Sequence, residues 1–242
     1  MANIINDGVS TTPTPGAKTL AFIVSFIREK LGDKKTPYGW SDEFLTECVN
    51  EAINELCTEM QMIVDAATAS ICTHVLAPGA YGLTLSERIT GVQRVELASI
   101  GRTLEYVTDI AEMDALYPDW KSTAAGVPRK FIKDGLGENI ARLWPATLLG
   151  DTVNLTVSRL PLFDLTWNSD QATIPELPAM YHDKIYDGIL YRAYQMNDTD
   201  TDNKRKADEH ERKWKAQVEK IRRAHLYKGN VAYTAAPHPG WM

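Results

Sequence analysis

Few residues in this sequence have catalytic or metal-binding chemistry to offer, and they are scattered. The five histidines are His74, His182, His210, His225 and His238. None forms an HExxH pair, where two imidazoles one helical turn apart hold a zinc ion. His210 and His225 stand about four turns apart on one expected helix, too far to share a metal. Asp198, Asp200 and Asp202 alternate as at the start of a calcium loop, but Asn203 stands where that loop needs glycine. The run reads as a solvated interhelical loop that supplies an N-cap. No GxxxxGK[ST], GxGxxG or GxSxG motif occurs, and Gly135-Leu136-Gly137, with no helix after it, reads as a hairpin turn. No catalytic, cofactor-binding or metal site follows, so the expectation is a protein without enzymatic activity.

Charge is more informative. The chain carries −6 overall, but from Asp202 to Lys228 there are ten Lys/Arg against five Asp/Glu, a local balance of +5 that leaves −11 for the rest. Lys204, Arg205, Arg212, Lys220, Arg222 and Arg223 belong to this basic segment. Acids one turn away, as Asp208/Arg212, Glu209/Lys213, Glu211/Lys215 and Glu219/Arg223, neutralise much of it. Nucleic-acid binding by the whole surface needs a broad positive field, which this acidic body lacks. A salt-bridged helix face used between polypeptides fits better. Cys48, Cys57 and Cys72 are odd in number and widely spaced, which is neither a disulfide framework nor a zinc pattern; they read as small buried hydrophobes.

The elements that position these residues follow from periodicity. The start, through Gly16, is polar with the run Thr11-Thr12-Pro13-Thr14-Pro15, an extended arm and not a secretory signal. Leu20, Ile23, Val24, Ile27 and Leu31 give a first helix from about Ala17. Ser41 caps a second, with Leu45, Val49, Ala52, Ile53, Leu56, Met60 and Ile63 as its stripe, running to about Ala67 and packing on the first as a hairpin. Short strands follow at Cys72–Leu76, Tyr81–Leu85, Val92–Leu97, Leu104–Val107, Gly126–Ile132, Ile140–Trp144 and Val153–Leu160, with a short helix at Ile110–Tyr117. Helical spacing returns from Ala179 to Met196, then to about Tyr227, where Ala207, Trp214, Val218, Ile221 and His225 share a face. From Gly229 the helical period is lost, and Val231, Tyr233, Pro237, His238, Pro239 and Trp241 look like anchors for another surface. The fold class expected is α+β. A four-helix antiparallel bundle (17–69 and 178–228) carries an inserted small antiparallel β-sandwich or barrel (70–177), with extended arms at 1–16 and 229–242. The longest apolar stretch, Leu20 to Ile27, is too short to span a membrane, so a soluble protein made in a cytoplasm is expected.

Three stretches in this order resemble the head-to-tail adaptor (connector) proteins of tailed bacteriophages, especially the short-tailed type. They are WSDEFLTECVNEAINEL (Trp40 to Leu56), GVPRKFIKDG…NIARLWPAT (Gly126 to Thr147) and LPAMYHDKIYDGILYRAYQMND (Leu177 to Asp198). The last is similar to the family's Pro-x-x-Tyr helix ending in Tyr-Arg-Ala-Tyr. The resemblance implies a structural protein of the virion neck, assembled in the host cytoplasm. It also implies a homo-oligomeric ring, dodecameric, beneath the portal protein and above a tail tube or nozzle protein, with DNA passing through without sequence-specific binding. It implies further that the C-terminal segment grips the portal. The competing readings are another neck component, such as a tail-completion or head-closure protein, and an enzyme or DNA-binding module.

Overall fold

The computed structural model describes residues 16–107, 110–133, 139–196 and 201–234, with backbone alone at 201–202 and 225–234. The chain divides into two compact units, one taking residues up to Leu56 and from Phe163 onward, the other Cys57–Leu162. The architecture is α+β, as expected.

The first unit is helical. α1 (Leu20–Leu31) starts at Thr19, whose hydroxyl accepts from the Phe22 N–H, and stops at Gly32, which takes φ 75° and donates back to the Arg28 and Glu29 carbonyls. Only glycine adopts that conformation without strain. Two further N–H groups of its first turn are met by another segment: Leu20 donates to the Thr173 carbonyl and Ala21 to that of Gln171, each at 2.9 Å. α2 (Asp42–Met60) begins where Ser41 Oγ accepts from Phe44 N–H at 3.1 Å, with Asp42 and Glu43 in the positive first turn. Its stripe of Leu45, Val49, Ala52, Ile53 and Leu56 is buried. Asn50 then clasps the returning chain, exchanging two 2.9 Å hydrogen bonds with the backbone of Leu165. α6 (Tyr186–Gln195) and α7 (Thr201–Thr234) complete the unit.

The second unit holds two sheets. β1 (Ile63–Asp65), β2 (Thr73–Leu76), β4 (Ile89–Leu97), β5 (Arg102–Thr103) and β9 (Asp151–Arg159) form the first, ordered β1-β9-β4-β5 with β2 also on β9. β3 (Gly82–Thr84), β6 (Glu105–Val107), β7 (Lys130–Ile132) and β8 (Ile140–Trp144) form the second, ordered β3-β8-β7-β6. Both sheets supply one buried cluster that includes Leu83, Phe131, Leu143, Val95, Leu97, Val153, Leu155 and Val157. A second cluster, Val107, Met113, Trp120 and Ile132, joins β6 and β7 to α4 (Ile110–Leu116) and a 3-10 turn at Trp120–Ser122. Two single-turn helices, α3 (Ala69–Cys72) and α5 (Trp167–Asp170), lie in the second and first units respectively.

Four expectations need correction. The second helix ends at Met60, not Ala67: Gln61 takes φ 51°, and Ile63–Asp65 leaves as β1, pairing with Val157–Arg159. What competes for it is a buried ion pair, Asp65 with Arg159 at 2.6 Å, their side chains 7% and 5% exposed. Cys72 closes α3 instead of opening a strand, because the Asp65 carboxylate accepts from the Ala67 and Thr68 N–H groups and winds that turn. The sheets are not wholly antiparallel, since β6 runs parallel to β7. Finally, α7 continues past Gly229 to Thr234, so the start of the expected extended tail is helical. One glycine costs a helix about 1 kcal/mol, less than a long run of good formers upstream contributes. The glycines of the expected turn at Gly135–Gly137 and the loop at Asp198 and Asp200 lie outside the described residues.

Candidate functional site

The exposed face of α7 is the strongest candidate. Ala207, Trp214, Val218 and Ile221 are buried, at spacings that make one stripe. That stripe meets α6 at Gly188, where a Cβ would lie 3.0 Å from the Trp214 indole, so only glycine lets the helices approach this closely. The flanks and the opposite face carry Lys204, Arg205, Arg212, Lys220, Arg222 and Arg223, all exposed.

Three of the four expected acid–base pairs form: Lys213 with Glu209 at 2.6 Å, Lys215 with Glu211 at 2.7 Å and Arg223 with Glu219 at 3.0 Å. Arg222 also reaches Glu219, at 3.4 Å. In the fourth, Arg212 Nε donates to the backbone carbonyl of Asp208 at 3.1 Å instead. The hydrogen bond from Lys213 holds the Glu209 carboxyl below its ordinary range, and those to Glu209 and Glu211 hold the Lys213 and Lys215 ammonium groups above theirs. Such pairs stay wet and screened, so they shape the local field more than they stabilise the fold.

Val231 and Tyr233 fall in the last turns of α7, where backbone alone is described. Pro237, His238, Pro239 and Trp241 lie outside the described residues. The histidines are held apart. His182 is fully buried: its Nδ1 accepts from the Lys18 N–H at 3.0 Å and its Nε2 is 2.8 Å from the Leu177 carbonyl. Those two partners fit a neutral imidazole with its proton on Nε2. His210 Nδ1 meets Asp187 at 2.8 Å and its ring stacks on Tyr194. His74 Nε2 lies 3.1 Å from the Ile71 carbonyl. Among the described residues no group of three or more His, Cys, Asp or Glu is placed to hold a metal, and no helix is long and apolar enough to cross a membrane. Cys48, Cys57 and Cys72 are buried and outside any disulfide; burial pushes the Cys48 thiol up to about 12.

Two arginines that organise the unit escape a reading of periodicity. Arg28, itself buried, donates to Asp33 at 2.7 Å, to Asp42 at 2.6 and 3.1 Å, and to the Trp40 carbonyl at 2.8 Å, while the Tyr38 ring lies 3.8 Å away. The whole turn between α1 and α2 is wrapped on this guanidinium. Arg192 of α6 bonds Glu51 at 2.8 Å and Glu55 at 2.6 Å on α2. A signal existed for the latter: α2 carries five glutamates and one aspartate and no base, so its acids need partners from elsewhere.

The model of the SU10 adaptor protein family matches residues 18–236. The chain belongs to this family. The match takes in both units, every basic residue named on α7, and Val231 and Tyr233, and it stops short of Pro237. Membership makes the chain a phage head-to-tail adaptor, a structural component of the virion. No curated protein matches the chain.

Proposed function

We propose that this SU10-family adaptor assembles as a ring, twelve copies in number, beneath the portal and above the tail tube or nozzle, in the neck of a short-tailed particle. The family match over residues 18–236 carries this reading. The exposed, internally paired charges of α7 suit repeated contact with acidic surface on a neighbouring copy. The segment beyond Thr234 grips the portal through Pro237, His238, Pro239 and Trp241, with Val231 and Tyr233 leading into it. Twelve weak tails act together at high effective concentration. The acidic remainder of the body lines the channel and lets DNA slide. The same reading takes the helices of the first unit as an antiparallel bundle and the two sheets as a sandwich.

Electron-microscopy class averages of the protein, alone and mixed with its portal, test this. Twelvefold rings capping the portal are expected. Removing residues 235–242 is expected to abolish capping while leaving helicity and melting unchanged. Normal capping by the truncated protein, or a lumen of strongly positive potential, would contradict the tail or channel assignment respectively.

A further inference from the structure

One arginine of the second unit is held between two aromatic rings. Arg142, on β8, lies with its guanidinium carbon 4.4 Å from the centre of the Tyr81 ring and 4.8 Å from that of Trp120. Its Nε is buried without a hydrogen-bond partner, and it makes no ion pair with any described residue. Trp120 cannot drift: it is 1% exposed and its indole N–H donates to Asp114 at 2.7 Å. The arginine side chain is therefore already ordered, so a ligand engaging it loses little further conformational freedom.

Beside it lies a strand at the edge of its sheet. Among the described residues β3 pairs only with β8. Leu143 N–H donates to the Tyr81 carbonyl at 2.6 Å and Leu85 N–H to that of Asn139 at 2.7 Å. In an antiparallel ladder the alternate residues then direct their backbone groups outward. Those residues are Gly82 and Thr84, and both are exposed. Gly82 stands directly opposite Arg142 in register, and a Cβ there would meet nothing nearer than the Ala141 carbonyl at 3.9 Å. No side chain at Gly82 separates the guanidinium from the edge.

We propose that this corner docks an extended acidic segment of a neighbouring polypeptide. The segment adds as a strand along β3, and one of its carboxylates seats on Arg142 between Tyr81 and Trp120. Both features ask for a protein: a strand at a sheet edge is matched by another backbone, and a planar guanidinium by a carboxylate. A duplex suits the site less well, because its phosphates cannot extend a strand ladder, and Asp114 beside Trp120 is paired with Lys121 at 3.6 Å. The site lies within Cys57–Leu162 and does not depend on the ring reading, which rests on α7 and the tail.

The test uses the full chain and a short fluorescent peptide alternating valine and glutamate, with a valine–glutamine peptide and a short DNA duplex for comparison. Fluorescence polarisation is expected to show the glutamate peptide binding at least about tenfold tighter than the glutamine one, the value of one charge-assisted contact. Arg142→Gln is expected to remove that preference, and Arg142→Lys to restore only part of it. Amide exchange at Gly82 and Thr84 is expected to slow when the peptide binds. Equal affinity for the two peptides, or no binding of either, overturns the proposal without recourse to any variant. Binding with unchanged exchange at Gly82 and Thr84 removes the strand addition. A duplex that binds more tightly than the peptide assigns the site to nucleic acid and overturns it as well.

Discussion

Arg28 and Arg223 both sit on helices and both pair with acids, yet their surroundings differ completely. Arg28 is 8% exposed and spends its donors on two aspartates and a carbonyl. The Arg223 side chain is 71% exposed and reaches one glutamate. Removing a partner from the first strands a charge in low dielectric; removing one from the second returns a charge to water. Charges of the first kind define the fold. Those of the second kind leave it nearly untouched and remain available to other molecules.

Breaking the buried pairs should therefore cost most. Asp65→Asn or Arg159→Met is expected to destabilise by about 3–5 kcal/mol in urea unfolding, since each leaves the other ion buried alone. A loss under 1 kcal/mol would mean that the pair is wetter than its exposure implies. Arg28→Ala belongs near the lower end of that range.

The same contrast has a pH signature. Burial works against the Asp65 carboxylate, but hydrogen bonds from the Thr68 hydroxyl, from the Thr68 and Ala67 N–H groups and from Arg159 outweigh it and hold its pKa below the usual range. A depressed folded value means that this stabilisation is complete above the unfolded pKa of about 3.9 and is lost as pH falls through the folded one. Melting followed below about pH 4 should show wild type losing stability more steeply than Asp65→Asn. Equal slopes would remove Asp65 from the acid response.

A smaller loss is expected for Gly188→Ala, about 1–3 kcal/mol, because the added methyl meets the Trp214 ring. Smallest is Glu219→Gln, within about 0.5 kcal/mol in the same assay. A large effect there would make α7 part of the fold's own support and erase the distinction from Arg28.

Much of this was legible in the residues. The stripes of α1 and α2, the capping by Ser41, the strand at Ile140–Trp144 and the acid–base spacing on α7 are local patterns, and local patterns survive into the structure. What failed depended on distant partners. Ile63 continues the apolar stripe of Leu56 and Met60, so periodicity alone cannot sense the reversal at Gln61 or the pull of Arg159, far along the chain. The parallel pairing of β6 with β7 is likewise a property of two strands and not of either one. In the candidate site, the basic face of α7 was readable as charge, whereas Arg142 looks like any strand arginine until Tyr81 and Trp120 are seen around it.

β9 bears on how the chain is made. It is the last strand of its unit and the shared partner of β1, β2 and β4. During synthesis those three emerge first and wait, with unsatisfied backbone edges, until residues 151–159 leave the ribosome. The helical unit waits longer still, because α1 and α2 precede the inserted unit and α6 and α7 follow it. Premature termination anywhere before β9 would thus release a sticky fragment with neither unit closed, and contacts this distant in sequence make closure slow.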